Sequence, residues 1–252
     1  MEFGKRTYPE IKDAAQSNWI IIIPTGCTEQ QGLHLPVDFD TWLADNLCIS
    51  ASALAAERFN VDSLVLPAMP FGPTPEHLGF GSGYINISQE LHESIYREVL
   101  QSLTDQCFKR ILIWQGCGQH QLAPMTERFI QNVPDVNVFF PESPFQRLWN
   151  KLVGPDVPDG HAASFATSLS LYLRPESVRY DQIKTNEFTM PDWSNPNLDV
   201  SKHTQSGTIG DLSVASAELG KQLWESLVVE CSQIIFDYDQ RTKRVLHNPR
   251  CT

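Results

Sequence analysis

The stretch NWIIIIPTGCTEQQGLHLPVDFDT, residues 18–41, decides how the rest of the chain is read. It opens on consecutive isoleucines, Ile20 to Ile23, and its apolar run stops at Pro24 and Gly26. A short β-branched run bounded in this way reads as a strand buried on both faces, as in a parallel sheet. Directly after it stand two carboxylates, Glu29 and Asp40, and one imidazole, His34. The next segment, DTWLADNLCISASALAAERF (40–59), has helical spacing, with Asp40 placed as its candidate N-cap. In open α/β sheets, ligands sit at the carboxyl ends of strands, where these groups fall.

The same alternation continues along the chain. VDSLVLPAMPFG (61–72) predicts a second strand running into a Pro/Gly loop, and PTPEHLGFGSGYINIS (73–88) an irregular loop that lines a site. QELHESIYREVLQSLTDQCF (89–108) is an amphipathic helix, and KRILIWQGCGQH (109–120) a third buried strand that breaks at Gly116. QLAPMTERFIQNV (121–133) predicts a helix and VNVFFPES (136–143) a fourth strand. GHAASFATSLSLYL (160–173) starts a helix of small residues, residues 174–206 form a polar, Pro-rich excursion, and residues 206–240 are a glycine turn and a long helix. Strands alternating with helices predict one domain over residues 1–252, a three-layer α/β/α fold with a mainly parallel sheet.

Bulk composition sets the limits. Over 252 residues, 41% are hydrophobic and 19% charged, which suits a globular protein with a sizeable core. The formal net charge is −11 and no basic cluster offsets it, so nucleic acid is not an expected partner. The N-terminal MEFGKRTYPEIKDAAQ has no apolar run of signal-peptide type, and no stretch reaches the roughly 18 apolar residues of a membrane span. The six cysteines are scattered without framework spacing, which predicts reduced thiols and a cytoplasmic protein.

Three segments leave an apolar strand or loop for a turn of small residues, and all carry candidate ligands: Glu29, His34 and Asp40; Cys117 and His120; and His161. Carboxylate, imidazole and thiolate are the common ligands of zinc and related metals. Their convergence predicts a catalytic pocket. Cys117 has three roles open to it: metal ligand, nucleophile with His120 or His161 as base, or packing thiol. His34 either anchors the HLP turn or faces substrate.

These motifs resemble those of the creatininase (creatinine amidohydrolase) family. The family signature P-V-G-S-x-E-Q-H-G-x-H-L-P, followed by an Asp, stands here as PTGCTEQQGLHLPVDFD. The strand ending N-G-H-G-x-N stands as ILIWQGCGQH, H-A-G-x-x-E-T-S as HAASFATS, and S-G-V-x-G-D as SGTIGD, while PEH and GYINI echo S-x-E-H…G-T-I-S-L. Order and spacing hold from about residue 18 to 225. Members hydrolyse C–N bonds of cyclic or linear amides at a two-metal centre of zinc or manganese.

The resemblance implies metal ligands residue by residue. Glu29 and the bridging Asp40 are kept, the His of N-G-H becomes Cys117, and the His of E-Q-H becomes Gln31. Gln119 and Ala166 stand where members carry a later acidic ligand. One zinc held by Glu29, Asp40 and Cys117 is therefore the implied cofactor, with the second metal absent because amides ligate zinc poorly. His161, kept from the third motif, is the implied general acid/base. Catalytic candidates are His161, Cys117, Glu29 and His120; Gln31, His34, Gln119 and Tyr84 are candidates for substrate binding, with Gln115 beside them. The expected function is that of a divergent enzyme acting on a non-peptide amide or related C–N bond of a small molecule, by hydrolysis or by the reverse ring closure in biosynthesis. A homo-oligomer is implied by the resemblance alone. The alternative is a non-catalytic homologue that binds a small molecule or supports a partner protein.

Overall fold

The computed structural model describes residues 1–118, 120–133, 135–184 and 187–243. Four strands, β1 (Ile20–Thr25), β2 (Ser63–Val65), β3 (Arg110–Gln115) and β4 (Asn137–Phe139), form a parallel sheet in the order β2-β1-β3-β4. The long central pair runs in register from Ile20 opposite Arg110 to Thr25 opposite Gln115, so both strands end at one edge. A separate antiparallel ribbon joins β5 (Asp159–His161) to β6 (Ile209–Gly210).

Helices cover both faces. Ile20, Ile22, Leu112 and Trp114 face a core built with α2 (Phe39–Phe59), α5 (Phe145–Leu152), α6 (Ser164–Leu173) and α7 (Ala217–Thr242). Ile21, Ile23, Ile111 and Ile113 face the opposite core with α1 (Tyr8–Gln16), α3 (Gln89–Asp105) and α4 (Ala123–Asn132). Successive strand residues point to opposite faces, so an unbroken isoleucine run feeds both cores. Each fully buried isoleucine contributes roughly 1.5–3 kcal/mol. The result is the expected three-layer α/β/α arrangement with a mainly parallel sheet.

Several elements depart from expectation. The second strand is short, Ser63–Val65, and gives way to the expected Pro/Gly loop, where Pro67 and Pro70 lack the donor a longer ladder needs. Asp40 is not the N-cap of α2; that position is Asp38, and Asp40 sits inside the first turn with its side chain turned to the site. Helices α1 and α5 and the β5–β6 ribbon were not foreseen. Helix α1 carries a legible start signal, Thr7 with Glu10 three residues on, and the Glu10 carboxylate accepts from both the Thr7 amide and its hydroxyl. Cys27, Cys48, Cys117 and Cys231 are buried thiols, but Cys107 is disulfide-bonded, so reduced cysteines throughout do not hold at that position. No helix among the described residues is long and apolar enough to cross a membrane.

Candidate active site

The carboxyl edge of the sheet gathers the polar groups. Past β1 the chain turns at Gly26, where a Cβ would come within 2.4 Å of the Thr41 Cα. Only glycine lets the turn press this closely on the first turn of α2, and that approach brings Cys27 and Glu29 to Asp40. Past β3 the turn is closed by the Gln115 amide donating to the His120 carbonyl at 2.6 Å, which positions Cys117. A short 3-10 helix (Pro75–Phe80) delivers Glu76 and His77, and β5 delivers Asp159 and His161. Most of these groups line a cavity of about 400 Å³, walled by Trp149, Phe165, Ala166 and Trp193.

Glu29 is the hub. Its Oε1 lies 3.3 Å from His77 Nε2 and 3.7 Å from His161 Nδ1, and its Oε2 lies 4.0 Å from Cys117 Sγ. Burial alone pushes this carboxyl up, but the hydrogen bond from His77, and the positive charge that His77 and then His161 carry when protonated, bring it down to about 2. Asp40 goes the other way: burial, then the charge of Glu29, push it well above the usual carboxylate range. Two neighbouring carboxyls thus divide their roles, Glu29 ionised and Asp40 the stronger holder of a proton. Asp40 Oδ2 accepts from the Gln31 amide at 2.6 Å and from the Cys27 thiol at 3.3 Å.

Gln30 sets the protons on both imidazoles. Its side-chain oxygen accepts from the Gly32 amide at 2.9 Å and its nitrogen donates to the Gly207 carbonyl at 3.1 Å, which fixes the amide's orientation. The same nitrogen stands 3.1 Å from His77 Nδ1, which must therefore accept, so His77 carries its proton on Nε2 and donates it to Glu29. Burial pulls His77 down, yet the hydrogen bond and charge of Glu29 hold it above its ordinary value; the Gln30 amide opposes a second proton on Nδ1. His161 Nε2 lies 2.6 Å from the Gln30 main-chain carbonyl, which can only accept. His161 therefore carries its proton on Nε2 and turns the bare Nδ1 toward Glu29.

The sequence candidates separate on this map. Glu29, Gln31, Asp40, Cys117 and His161 line one cavity, but Gln31 is engaged with Asp40. His34 lies outside the cavity lining, hydrogen-bonded at 2.7 Å to the Thr167 hydroxyl. His120 also lies outside, packed on His92 with ring centroids 4.6 Å apart. Half-buried Tyr84 is not in the lining, and Gln119 lies outside the described residues. Glu29 and Asp40 group with Cys27 as donors within 4.8 Å of one another, whereas Cys117 groups with Glu29 and Glu76 and with Cys27 and His120. Sequence reasoning gave no site role to His77, Glu76 or Cys27. The PEH triplet was the signal for the first two.

The donors fit a divalent cation. Two buried carboxyls and a thiol converge within ligand reach of one another, and a cation between them would relieve the repulsion that raises Asp40.

Buried imidazoles give the fold an acid limit. Burial holds His34 and His92 down to about 4, His161 to about 4 with His77 adding, and His120 to about 3 with His92 adding. In the unfolded chain such groups titrate near about 6.5. Below that pH the unfolded chain takes up protons that the folded chain refuses until about 4, so stability is full above pH 6.5 and is lost as pH falls toward 4. The urea midpoint should drop steadily across this window, and His92→Phe should flatten the slope. A level profile would contradict the burial of these rings.

Residues 4–235 match the family described as "Creatininase: Creatinine amidohydrolase". A mycofactocin precursor peptide peptidase of Mycobacterium tuberculosis (strain CDC 1551 / Oshkosh) is 27% identical over 237 residues, covering 91% of this chain and 88% of the relative. A creatinine amidohydrolase of Pseudomonas putida is 22% identical over 247 residues, covering 89% and 92%. Among solved structures, a protein of Bacteroides fragilis NCTC 9343 assigned as a creatinine amidohydrolase superposes with a TM-score of 0.80 at 23% identity, covering 95% and 96% of the two chains. Two creatininase structures with TM-scores of 0.77, at 21% and 22% identity, are described as a manganese form and a mutant of Zn–Zn type. With its motifs in register, its three-layer fold and a family match over nearly its whole length, this chain belongs to the creatininase family.

Proposed function

We propose that this chain is an amide hydrolase, acting on a C–N bond of a polar substrate in the cavity beside Glu29. The observation that carries the reading is Glu29 held ionised among His77, His161 and Cys117 at the cavity floor. The expectation of a non-peptide bond was too narrow. One relative is named as a peptidase, so peptide amides stand beside small-molecule amides as candidates.

A divalent ion, when bound, would polarise the amide carbonyl and acidify a water, and Glu29 and Asp40 are the carboxylates to hold it. The chain's own groups do the rest. His161 presents a neutral Nδ1 to take a proton from the attacking water and return it to the departing amine. His77 donates to Glu29 and keeps that carboxylate charged and oriented. Trp149, Phe165 and Trp193 supply apolar walls that limit water.

A second reading has one observation in its favour. Asp40 is already satisfied by Gln31 and Cys27, a network complete without substrate or ion, as a site that only binds would have. A panel of cyclic amides and short peptides, assayed with zinc or manganese supplied, separates the two. Turnover of any member that falls at least about 100-fold in Glu29→Gln supports the hydrolase. Tight binding of panel members with no turnover moves the assignment to the binding reading.

A further inference from the structure

Two thiols stand side by side at the carboxyl edge of the sheet. The register of the central pair sets Thr25 opposite Gln115, and the Gly116 amide, donating to the Thr25 carbonyl at 2.9 Å, carries the pairing past the strand ends. Counted on from there, Cys27 falls opposite Cys117. Their sulfurs lie within 4.8 Å of each other, and the two side chains are hydrogen-bonded. Neither cysteine belongs to the family signature: Cys27 stands where the signature has Ser, and Cys117 where it has His. The pair is therefore a property of this chain.

Neighbouring strands run about 4.7–4.9 Å apart. Disulfides span Cα separations of about 4.4–6.8 Å, so opposed positions of this kind are close enough to be bridged. Bridging closes the sulfurs to about 2.05 Å, which asks for rotation of two small side chains and not for movement of the sheet. The two cysteines differ in access. Cys117 lines the cavity, whereas Cys27 is 0% exposed and lies outside the lining. Cys27 also holds its proton firmly: the hydrogen bond with Cys117, then burial, raise it well above the usual thiol range. An oxidant entering the cavity therefore meets Cys117 first, with Cys27 behind it.

From this arrangement we propose that Cys27 and Cys117 form a site of oxidative modification, closed to a disulfide by peroxide that reaches the cavity, and that closure switches the site off. In the first step the Cys117 sulfur attacks one oxygen of hydrogen peroxide and becomes a sulfenic acid, and the other oxygen leaves as water. In the second, the Cys27 sulfur displaces the sulfenic hydroxyl, which leaves as water with the Cys27 proton as the S–S bond forms. Two thiols thus give up two electrons, and one peroxide becomes two waters. A dithiol reductant reverses the bond. Closure draws Cys27 from Asp40, whose Oδ2 it faces at 3.3 Å, and Cys117 from Glu29 Oε2 at 4.0 Å. The groups beside the two carboxyls then hold no thiol. Cys48 and Cys231 are also buried thiols but line no part of this cavity, so peroxide entering there does not reach them.

The test is peptide mass mapping of the full chain without reduction, before and after hydrogen peroxide, both as purified and after chelator treatment. The expected result is a peptide joining Cys27 to Cys117, lighter by two hydrogens than its parts, formed with peroxide and undone by dithiothreitol, while Cys48 and Cys231 keep their thiols. In Cys27→Ser the first step should be stranded, leaving a Cys117 sulfenic acid that dimedone captures. Sulfinic Cys117 beside a Cys27 thiol in the wild-type chain, or no link in either preparation, would overturn the proposal. The mass map is independent of amide hydrolysis, so a chain that turns over no amide sinks the hydrolase reading and leaves the disulfide to stand or fall by itself. The switching off does rest on the hydrolase reading: turnover of an amide should fall in step with the linked fraction and return with dithiothreitol. Full turnover by a fully linked chain would overturn it.

Discussion

Replacing His161 by asparagine is expected to lower amide hydrolysis by about 10²–10⁴-fold, the usual worth of a positioned acid/base group. Three features lead to this figure. The ring's Nε2–H is spent on the Gln30 carbonyl, so the remaining nitrogen has a single direction, toward Glu29 and the cavity. Burial, with His77 adding, holds the ring down to about 4, so it is neutral and able to accept a proton at neutral pH. Asparagine can keep the bond to Gln30 but has no basic nitrogen to offer. The loss should therefore appear in kcat, with substrate binding and the thermal midpoint little changed. A variant that keeps most of its turnover would remove His161 from the proton-transfer role and leave His77 as the imidazole to examine.

Asp239→Ala is expected to destabilise the fold by about 3–5 kcal/mol, the cost of leaving a buried charge without its partner. Arg110 begins β3 at 4% exposure, and its guanidinium is held by the Asp239 carboxylate on α7 at 2.6 Å and by the Asn18 carbonyl. The pair is the polar pin between the sheet and its longest helix, and Tyr238 beside it donates to the Ile111 and Asn137 carbonyls. Truncating Asp239 leaves the buried Arg110 cation with the Asn18 carbonyl and little water. Replacing both, as Arg110→Met with Asp239→Leu, should recover most of the loss, because an apolar pair of similar volume avoids desolvating either ion. Chemical denaturation of the two variants checks the claim. Equal stability of wild type and Asp239→Ala would show that Arg110 finds adequate partners without it.

The layered fold was legible because it follows from local pattern. Isoleucine and leucine runs ending at Gly26 and Gly116 announce buried parallel strands whatever else the chain does. The carboxylates were legible too, since Glu29 and Asp40 flank one turn. The other half of the site was not, because it is assembled across the sequence. His77 comes from an irregular loop, and its closeness to His161 depends on a ribbon only a few residues long. The expected Glu29–Asp40–Cys117 ligand set illustrates the same limit. Correspondence by motif puts Cys117 in a ligand's place, but it does not register that Cys27, one residue past Gly26, is the thiol grouped with both carboxylates, while Cys117 is grouped with Glu29 and not with Asp40. Gln31, expected to face substrate, turned inward because a buried Asp40 needs a donor more than the cavity does.

The β5–β6 ribbon also bears on how such a protein diversifies. His161 pairs with Ile209, so the two ends of the segment that carries α6 and the 174–206 excursion are clamped to each other beside the site. A stretch hung from two fixed points can change length at small thermodynamic expense, roughly 0.6 kcal/mol for each doubling. Trp193 rides on that stretch and packs against Gly160, the neighbour of His161. New substrate preferences can thus be drafted in the hanging segment while the imidazole keeps its place, so that selection edits the choice of substrate apart from the means of cleaving it.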